Sequence, residues 1–222
     1  MRERLPLFPL GTVLFPGLLL PLHVFESRYR TLVADLAPDG SPGGVFGVIA
    51  IRAGRESGAD DPPALHPIGC ATRIRDVESL PDGRFDLVTS GTRRFRLHEV
   101  DASGRYLVGA VEWLPEEPGD ASPALCAAVG RAYGAYRDLL LAVAGQVPRM
   151  SGPLPADPVV LSYLVGAAML LDVRDKQALL EADDAAERLR VVLRLLHRER
   201  GILDRIPSVP GTELLSGSTN PN

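Results

Sequence analysis

The chain is nearly free of lysine. Among its 24 basic residues Lys176 is the single lysine, and the other 23 are arginines. A phosphate-binding loop needs Gly-Lys-Ser/Thr, whereas Lys176 lies between Asp175 and Gln177. The same residue is the single candidate for a Ser–Lys dyad, and its neighbours predict a solvated helix face. We therefore expect neither a nucleotide-hydrolysing P-loop nor a Ser–Lys protease in these 222 residues.

Cysteine is scarce as well, with Cys70 and Cys126 in unrelated contexts. Two isolated cysteines form neither a disulfide framework nor a C-x-x-C pair, so we expect a reducing, cytoplasmic location. Both cysteines are interpreted as small core residues rather than as the thiol of a Cys–His hydrolase. The Gly-x-Ser-x-Gly motif of serine hydrolases is absent.

Long apolar runs are also missing. Pro6, Pro9, Pro16 and Pro21 interrupt the apolar N-terminal segment, and no small-residue cleavage site follows it. The segment therefore does not fit a signal peptide, and no stretch approaches the roughly 20 apolar residues that cross a bilayer. The net charge is −4 and the pI about 5.6. We expect no membrane and no nucleic-acid partner.

Arginine is concentrated in two places. One group is Arg93, Arg94 and Arg96, and the other comprises Arg188, Arg190, Arg194, Arg198 and Arg200. An RNA or phosphate site is one interpretation of these groups. Acidic residues are interleaved with the second group, so the favoured interpretation is a solvated helix face with its cations toward the C-terminal end.

Metal and acid–base motifs are weak. His23 and Glu26, and His66 and Cys70, have tolerable ligand spacings, but no second pair accompanies either of them. We therefore predict no metal, no cofactor and no catalytic residue. A minor hydrolase that uses His23 and Glu26 is kept as an alternative.

The pattern of the chain changes near residue 115. Before it, short alternating segments with Gly and Pro turns predict a mostly antiparallel sheet or small barrel. One helix interrupts them, with Phe25, Tyr29 and Leu36 on a single apolar stripe. After it, long helical periodicity dominates, with helix starts predicted at Asp157-Pro158 and at Asp184. We predict a β-rich part at 1–115, a helical part at 116–205 and a flexible tail at 206–222.

Three sequence blocks are distinctive. The first is L-P-L-x-P-L-x-x-V-L-F-P-G at 5–17 with P-L-H-V-F-E-x-R-Y at 21–29. The second joins Ile68–Ala71, Leu80–Arg84 and Gly91–Arg96, and the third joins Lys176–Glu181 with Glu187–Leu189. In this order the blocks resemble the LON substrate-binding family, the N-terminal domain of Lon proteases, which also occurs in stand-alone bacterial proteins. The resemblance extends from about Leu5 to Glu199.

The resemblance implies an α+β fold in which a PUA-like β pseudo-barrel is followed by an α-helical bundle. It also implies binding of unfolded or client polypeptides, as a substrate-binding or adaptor module in protein quality control. The ATPase module and the Ser–Lys protease module of Lon are missing from these residues. The family therefore supplies no catalytic residue, and we expect a protein that is not an enzyme. A separately encoded Lon protease is a further expected partner.

A candidate polypeptide site lies in the first block. Phe15 and Pro16, at a turn, and Phe25 and Tyr29, on the predicted helix, are expected to flank an apolar groove that takes extended segments. The alternative is that these aromatic residues belong to the core. For the function, the alternative is a small-molecule sensor on the barrel. An enclosed apolar pocket would favour the sensor, and an open groove would favour polypeptide binding.

Overall fold

The computed structural model describes residues 2–38, 40–54, 63–145 and 152–205. Within them the chain forms seven strands and five helices. The strands are β1 (Glu3–Leu10), β2 (Leu19–Val24), β3 (Val45–Ala53), β4 (Ala64–Leu65), β5 (Ile68–Ser79), β6 (Phe85–Asp101) and β7 (Val108–Trp113). The helices are α1 (Ser27–Leu36), α2 (Pro123–Val143), α3 (Pro158–Ala168), α4 (Val173–Glu181) and α5 (Ala185–Leu203). The predicted tail at 206–222 lies outside the described residues.

Five strands close an uneven ring in the order β1, β7, β6, β5 and β3. The strand β1 closes it by changing partner along its length. Glu3 to Pro6 pair antiparallel with β7, and Leu7 to Leu10 pair parallel with β3. The pattern of short alternating segments predicted an antiparallel sheet or barrel, and the other ring pairs are antiparallel. The parallel pair β1–β3 is the exception.

The long strand β6 carries more than the ring. Its final residues pair with β7, while Phe85 to Ser90 pair with β2 on one side and with β5 on the other. The strand β2 therefore extends the sheet beyond the ring, as β4 does at β3. The result is a three-stranded arm formed by β2, the first part of β6 and the second part of β5.

The ring interior is filled by close packing around Phe95. Its buried ring lies between two glycines, Gly47 and Gly69, where an added Cβ would stand 2.8 Å and 2.5 Å from Phe95 carbons. Strand glycine usually marks such a close approach. A second apolar cluster joins α1 to the strands, with Phe8 and Tyr29 stacked at a centroid distance of 4.1 Å.

The helices α2 to α5 share one apolar cluster, and Phe15 and Ile68 reach into it from the β-rich part. Polar caps define where these helices begin. Asp157 accepts hydrogen bonds from the amides of Val159 and Val160, as the Asp157-Pro158 sequence predicted. Asp184 accepts from the amide of Glu187 at 2.8 Å. No helix in the described ranges is long and apolar enough to cross a membrane.

The first helix differs from its prediction. It begins at Ser27, so Phe25 precedes it and is not part of its apolar stripe. The buried residues of α1 are Tyr29, Leu32 and Val33, whereas the Phe25 side chain is 56% exposed. Phe25 follows β2 directly, and its alternation with Val24 continues that of the strand.

Candidate functional site

The four predicted site residues fall into two separate places. Phe15 is buried, and its ring packs against Tyr163 of α3 at a centroid distance of 5.6 Å. The adjacent Pro16 is half-buried and lines a cleft between the β1–β2 connection and α3. Phe25 and Tyr29 instead meet near α1. The structure therefore places Phe25 and Tyr29 at one cleft and Pro16 at another, with Phe15 buried behind the second one.

The cleft that contains Phe25 and Tyr29, termed the ring cleft, lies between the end of β1 and β2. Its volume is about 130 Å³, and its walls include Phe8, Leu10 and Leu22. Tyr29 is buried and forms its floor by stacking on Phe8. Phe25 stands at the exposed rim, with its ring near that of His23. This cleft is sized for a single apolar side chain.

The second cleft, termed the junction cleft, has a volume of about 300 Å³ and lies where the strands meet the helices. Its lining residues are Pro16, Gly17, Leu18, Thr92, Glu116, Val159, Val160, Tyr163 and Leu164. Val160 and Leu164, one turn apart on α3, expose their apolar side chains. The sequence predicts where α3 begins, but neither residue was predicted as part of a site.

The position of the β1–β2 connection in this cleft depends on a glycine. The amide of Gly17 donates to the Gly91 carbonyl at 2.9 Å, and the Gly91 amide donates to the Leu18 carbonyl at 2.8 Å. An added Cβ at Gly91 would collide with the Phe15 carbonyl. Only glycine therefore allows this approach, which holds Pro16 and Leu18 at the cleft wall.

A buried ionic cluster lies beside the junction cleft. Arg94 is 2% exposed, and its Nε donates to Glu116 Oε1 at 2.8 Å. Its Nη1 donates to the carbonyls of Leu180, in the last turn of α4, and of Ala182, which follows the helix. Arg94 thus satisfies helix-end carbonyls and ties β6 to the helical part.

Arg188 completes the cluster from α5. It is fully buried, and its Nε and Nη1 donate to the Leu179 carbonyl and to Ser162 Oγ. Its guanidinium lies 3.8 Å from the centroid of the Tyr163 ring and 3.4 Å from Glu116 Oε2. Burial lowers the pKa of Arg188 below its ordinary value.

The phenol of Tyr163 is the fourth member. It donates to Glu116 at 2.8–2.9 Å, and burial raises its pKa far above the ordinary value. Tyr163 therefore stays protonated and serves as a donor. Two guanidiniums surround one carboxylate, so the group carries an excess positive charge under an apolar cleft. Such an arrangement fixes the junction and performs no proton transfer in itself.

The cluster corrects the sequence interpretation of the arginines. Arg94 and Arg188 belonged to groups interpreted as solvated faces, yet both are buried and fully engaged. At Arg188 the sequence did hold a signal, because this residue occupies a stripe position between Ala185 and Val192 of α5. At Arg94 the sequence held no such signal, because the alternation of apolar and polar residues along β6 does not show that α4 covers this side chain.

The hydrolase alternative at His23 meets two neighbours other than Glu26. His23 Nδ1 lies 2.6 Å from Asp86 Oδ1, and Nε2 lies 3.1 Å from Arg84 Nη1. Because arginine donates, Nε2 accepts and Nδ1 carries the proton that it donates to Asp86. Both ring nitrogens are thus engaged, and neither is open to a water that would attack a substrate.

Nucleophile and metal chemistry have little support in the described residues. No group of three His, Cys, Asp or Glu in them could hold a metal ion. Cys70 is buried, and its burial raises the pKa of the thiol well above the ordinary value. A buried thiol that stays protonated is a poor nucleophile. The apolar clefts described above are candidate sites for a partner.

The sequence is similar to one domain of much longer proteins. The model of the "ATP-dependent protease La (LON) substrate-binding domain" family matches residues 4–198. Among the relatives, Lon protease 2 of Myxococcus xanthus is 30% identical over 214 residues, covering 90% of this chain and 24% of that protein. Lon protease of Roseiflexus castenholzii is 31% identical over 212 residues, covering 90% and 25%. The chain thus spans about a quarter of the length of these curated relatives.

Two solved structures are similar in fold. The Lon N-terminal domain protein from Xanthomonas campestris is 31% identical, with a TM-score of 0.58 over 86% of this chain and 98% of that one. The N-terminal domain of the Mycobacterium avium complex Lon protease is 22% identical, with a TM-score of 0.58 over 88% and 98%. At 22% identity the second similarity concerns the fold alone.

Proposed function

This chain belongs to the LON substrate-binding domain family, and from that premise we propose that it binds unfolded or client polypeptides without cleaving them. The fold is that of a Lon N-terminal domain, mostly sheet with five helices in the described residues. The family supports a substrate-binding module, and the matched region includes no ATPase or protease domain. We also propose that a separately encoded Lon protease is a partner of this protein and that the protein is located in the cytoplasm.

The proposal includes a more detailed description of the architecture. The closed ring is interpreted as a PUA-like pseudo-barrel at 1–115 and the helices α2 to α5 as a bundle at 116–205. Every described strand lies before residue 114 and helices α2 to α5 lie after 122, which supports a boundary near 115. The Arg94–Glu116–Arg188 cluster then lies across that boundary and keeps the two parts together.

The junction cleft is the observation that carries the proposal. Its walls are mainly apolar, and Val160 and Leu164 expose a two-residue apolar face beside Pro16 and Leu18. An unfolded segment that buries an apolar side chain there gains about 1.5–3 kcal/mol. Glu116 at the base can accept one further hydrogen bond, which suits a main-chain amide beside that side chain.

The test is the binding of a fluorescein-labelled, permanently unfolded polypeptide, followed by anisotropy. Val160→Gln with Leu164→Gln replaces the exposed face and should weaken binding by about tenfold or more. Leu170→Gln is the matched control, because Leu170 is exposed but lies outside the cleft. Equal affinity of the two variants would overturn the role of the cleft. Cleavage of the polypeptide, with or without ATP, would overturn the non-catalytic assignment.

The small-molecule alternative has a weaker basis. A cavity of about 440 Å³ between α1 and the β6–β7 turn has a suitable size, but polar residues such as Arg28 and Arg105 line much of it. Arg105 is committed to Asp35 at 2.7 Å. Small-molecule sites are mainly apolar with a few polar groups, and the mainly apolar junction cleft, at about 300 Å³, lies at the lower end of their usual size. Polypeptide binding is therefore favoured over a sensor.

A further inference from the structure

The strand β2 forms an open edge in the described part of the sheet. It pairs with β6 on one side, and among the described strands none pairs with its other side. The carbonyls of Leu18 and Leu20 point toward β6, because they accept from the Gly91 amide and from Thr89 Oγ1. Main-chain groups alternate along a strand. Those of Leu19, Pro21 and His23 therefore point to the open edge.

Proline fits this edge and limits its pattern. Pro21 has no amide proton, and a proline facing β6 would break the ladder. At the open edge Leu19 and His23 offer both a donor and an acceptor, and Pro21 offers an acceptor alone. An extended segment can add to such an edge by main-chain hydrogen bonds.

Each face of β2 provides a different environment for the side chains of an added strand. The inner face adjoins the ring cleft, whose volume of about 130 Å³ is suited to one aliphatic side chain. The outer face carries a second cleft of about 380 Å³ over the three-stranded arm. An added strand alternates its side chains between these two faces.

The outer cleft is acidic. The register aligns Pro21 with Val88 and Asp76 in one row, and His23 with Asp86 and Glu78 in the next. These six residues line the cleft, and no lysine or arginine lines it with them. Three carboxylates therefore line this cleft. The guanidinium of Arg84 lies beside it, 3.1 Å from His23 Nε2, and is itself paired with Asp82.

From the open edge, the apolar ring cleft and the acidic outer face, we propose that β2 binds an extended peptide segment in which aliphatic and basic residues alternate. The aliphatic side chain enters the ring cleft beside Phe25 and Tyr29. The basic side chain crosses β2 toward Asp86, which lies about two strand spacings of 4.7–4.9 Å from the added strand. Asp76 and Glu78 lie one strand further and add to the negative potential. This inference rests on the proposed function and names the class of segment preferred.

The test uses a labelled heptapeptide of alternating leucine and arginine and anisotropy with the full chain. An analogue with glutamate for arginine should bind at least about tenfold more weakly, because repulsion replaces attraction. Asp86→Asn keeps the acceptor for His23 and should weaken binding about two- to fivefold. Asp138→Asn, which removes one charge on α2, is the control and should change nothing. Equal binding by the two protein variants would overturn the electrostatic part.

Two further peptides test the strand addition. In one peptide, N-methylation of every second amide removes the donors that face β2. In the other peptide, the remaining amides are methylated and the donors that face β2 are kept. Strong binding by one isomer alone supports the proposal, and equal binding by both overturns it. Hydrogen exchange supplies a direct readout, because the Leu19 and His23 amides should gain protection on binding. Unchanged exchange there would also overturn the proposal.

The two proposals fail in different ways. Binding of the unfolded polypeptide that depends on Val160 and Leu164, without binding of the heptapeptide, overturns the strand addition and leaves the proposed function standing. Absence of binding by both probes overturns both proposals.

Discussion

Arg94 Nε and Glu116 Oε1 are joined by a hydrogen bond of 2.8 Å that links β6 to the segment leading into α2. The same carboxylate also accepts hydrogen bonds from Tyr163 of α3 and Arg188 of α5. A single acid therefore connects α3, α5 and the segment before α2 to the sheet. The apolar junction cleft exists beside it because these elements are held at a fixed separation. The stability of the fold and the shape of the proposed binding cleft therefore depend on the same acid.

Replacing this carboxylate should destabilise the fold. Glu116→Gln keeps the shape but leaves two buried guanidiniums without a counter-charge, and the free energy of unfolding should fall by about 3–5 kcal/mol. Urea unfolding followed by circular dichroism measures the change. Asp120→Asn, which breaks the exposed pair with Arg190, should leave the midpoint almost unchanged. A similar small effect at Glu116 would contradict the structural role of the cluster.

Two glycine substitutions should act in opposite directions. Gly91→Ala forces the β1–β2 connection away from β6, because the new Cβ meets the Phe15 carbonyl, and should lower the melting temperature. Gly134→Ala on α2 meets nothing within 4 Å and should stabilise the protein by about 0.5–1 kcal/mol through helix propensity. Thermal unfolding of both variants measures this. Stabilisation at both positions would contradict the close approach at Gly91.

The aromatic residues of the first sequence block should separate into two classes. Phe15→Ala opens a cavity between the strands and the helices and should cost about 3–5 kcal/mol. Phe25→Ala removes an exposed ring and should change the free energy of unfolding by less than about 0.5 kcal/mol. Chemical denaturation gives the stabilities, and the heptapeptide assay gives the binding. If the Phe25→Ala variant binds the heptapeptide with the affinity of the unchanged chain, Phe25 is not part of the site.

Acid should weaken a surface turn beside β7. The Ser103 hydroxyl, then Arg4 and the Ser103 amide, hold the pKa of Asp101 well below its ordinary value of about 3.9. A lowered folded pKa gives stability that is present above the unfolded pKa and is lost as pH falls below about 4. Ser103→Ala should raise the Asp101 pKa in a carboxyl NMR titration. Ser41→Ala, at an exposed serine, should not; an unmoved value in Ser103→Ala would contradict the hydrogen bond as cause.

Local signals predicted the helices of the second half well. Asp157 followed by proline predicted the start of α3, and the observed bonds to the amides of Val159 and Val160 confirm it. Asp184 caps α5 as expected, although the Glu187 carboxylate accepts a hydrogen bond from the amide of Asp183 rather than from that of Asp184. Such caps depend on residues three or four apart, so they are readable from sequence.

Features that depend on contacts between distant parts of the chain could not be predicted from such local signals. Burial of Arg94 depends on carbonyls at Leu180 and Ala182, more than 80 residues away, and alternation in β6 cannot indicate them. The exposure of Val160 and Leu164 depends on where the β1–β2 connection leaves α3 uncovered. The sequence predicts a single groove flanked by Phe15, Pro16, Phe25 and Tyr29. Proximity along the chain does not show that Phe15 turns toward the helices while Tyr29 turns toward Phe8. Their binding role stays a prediction.

The pairing of β1 also has a consequence for the order in which the ring can assemble. Glu3 to Pro6 find their partners at Val108 to Val111, more than 100 residues later in the chain. During synthesis at a ribosome, these residues must wait until β7 has emerged, while β5 and β6 can already pair as neighbours. Late contacts of this kind slow folding and leave a proline-interrupted apolar segment exposed to other chains in the interval. A protein that we propose to hold unfolded polypeptides would itself pass through such a state before its ring closes.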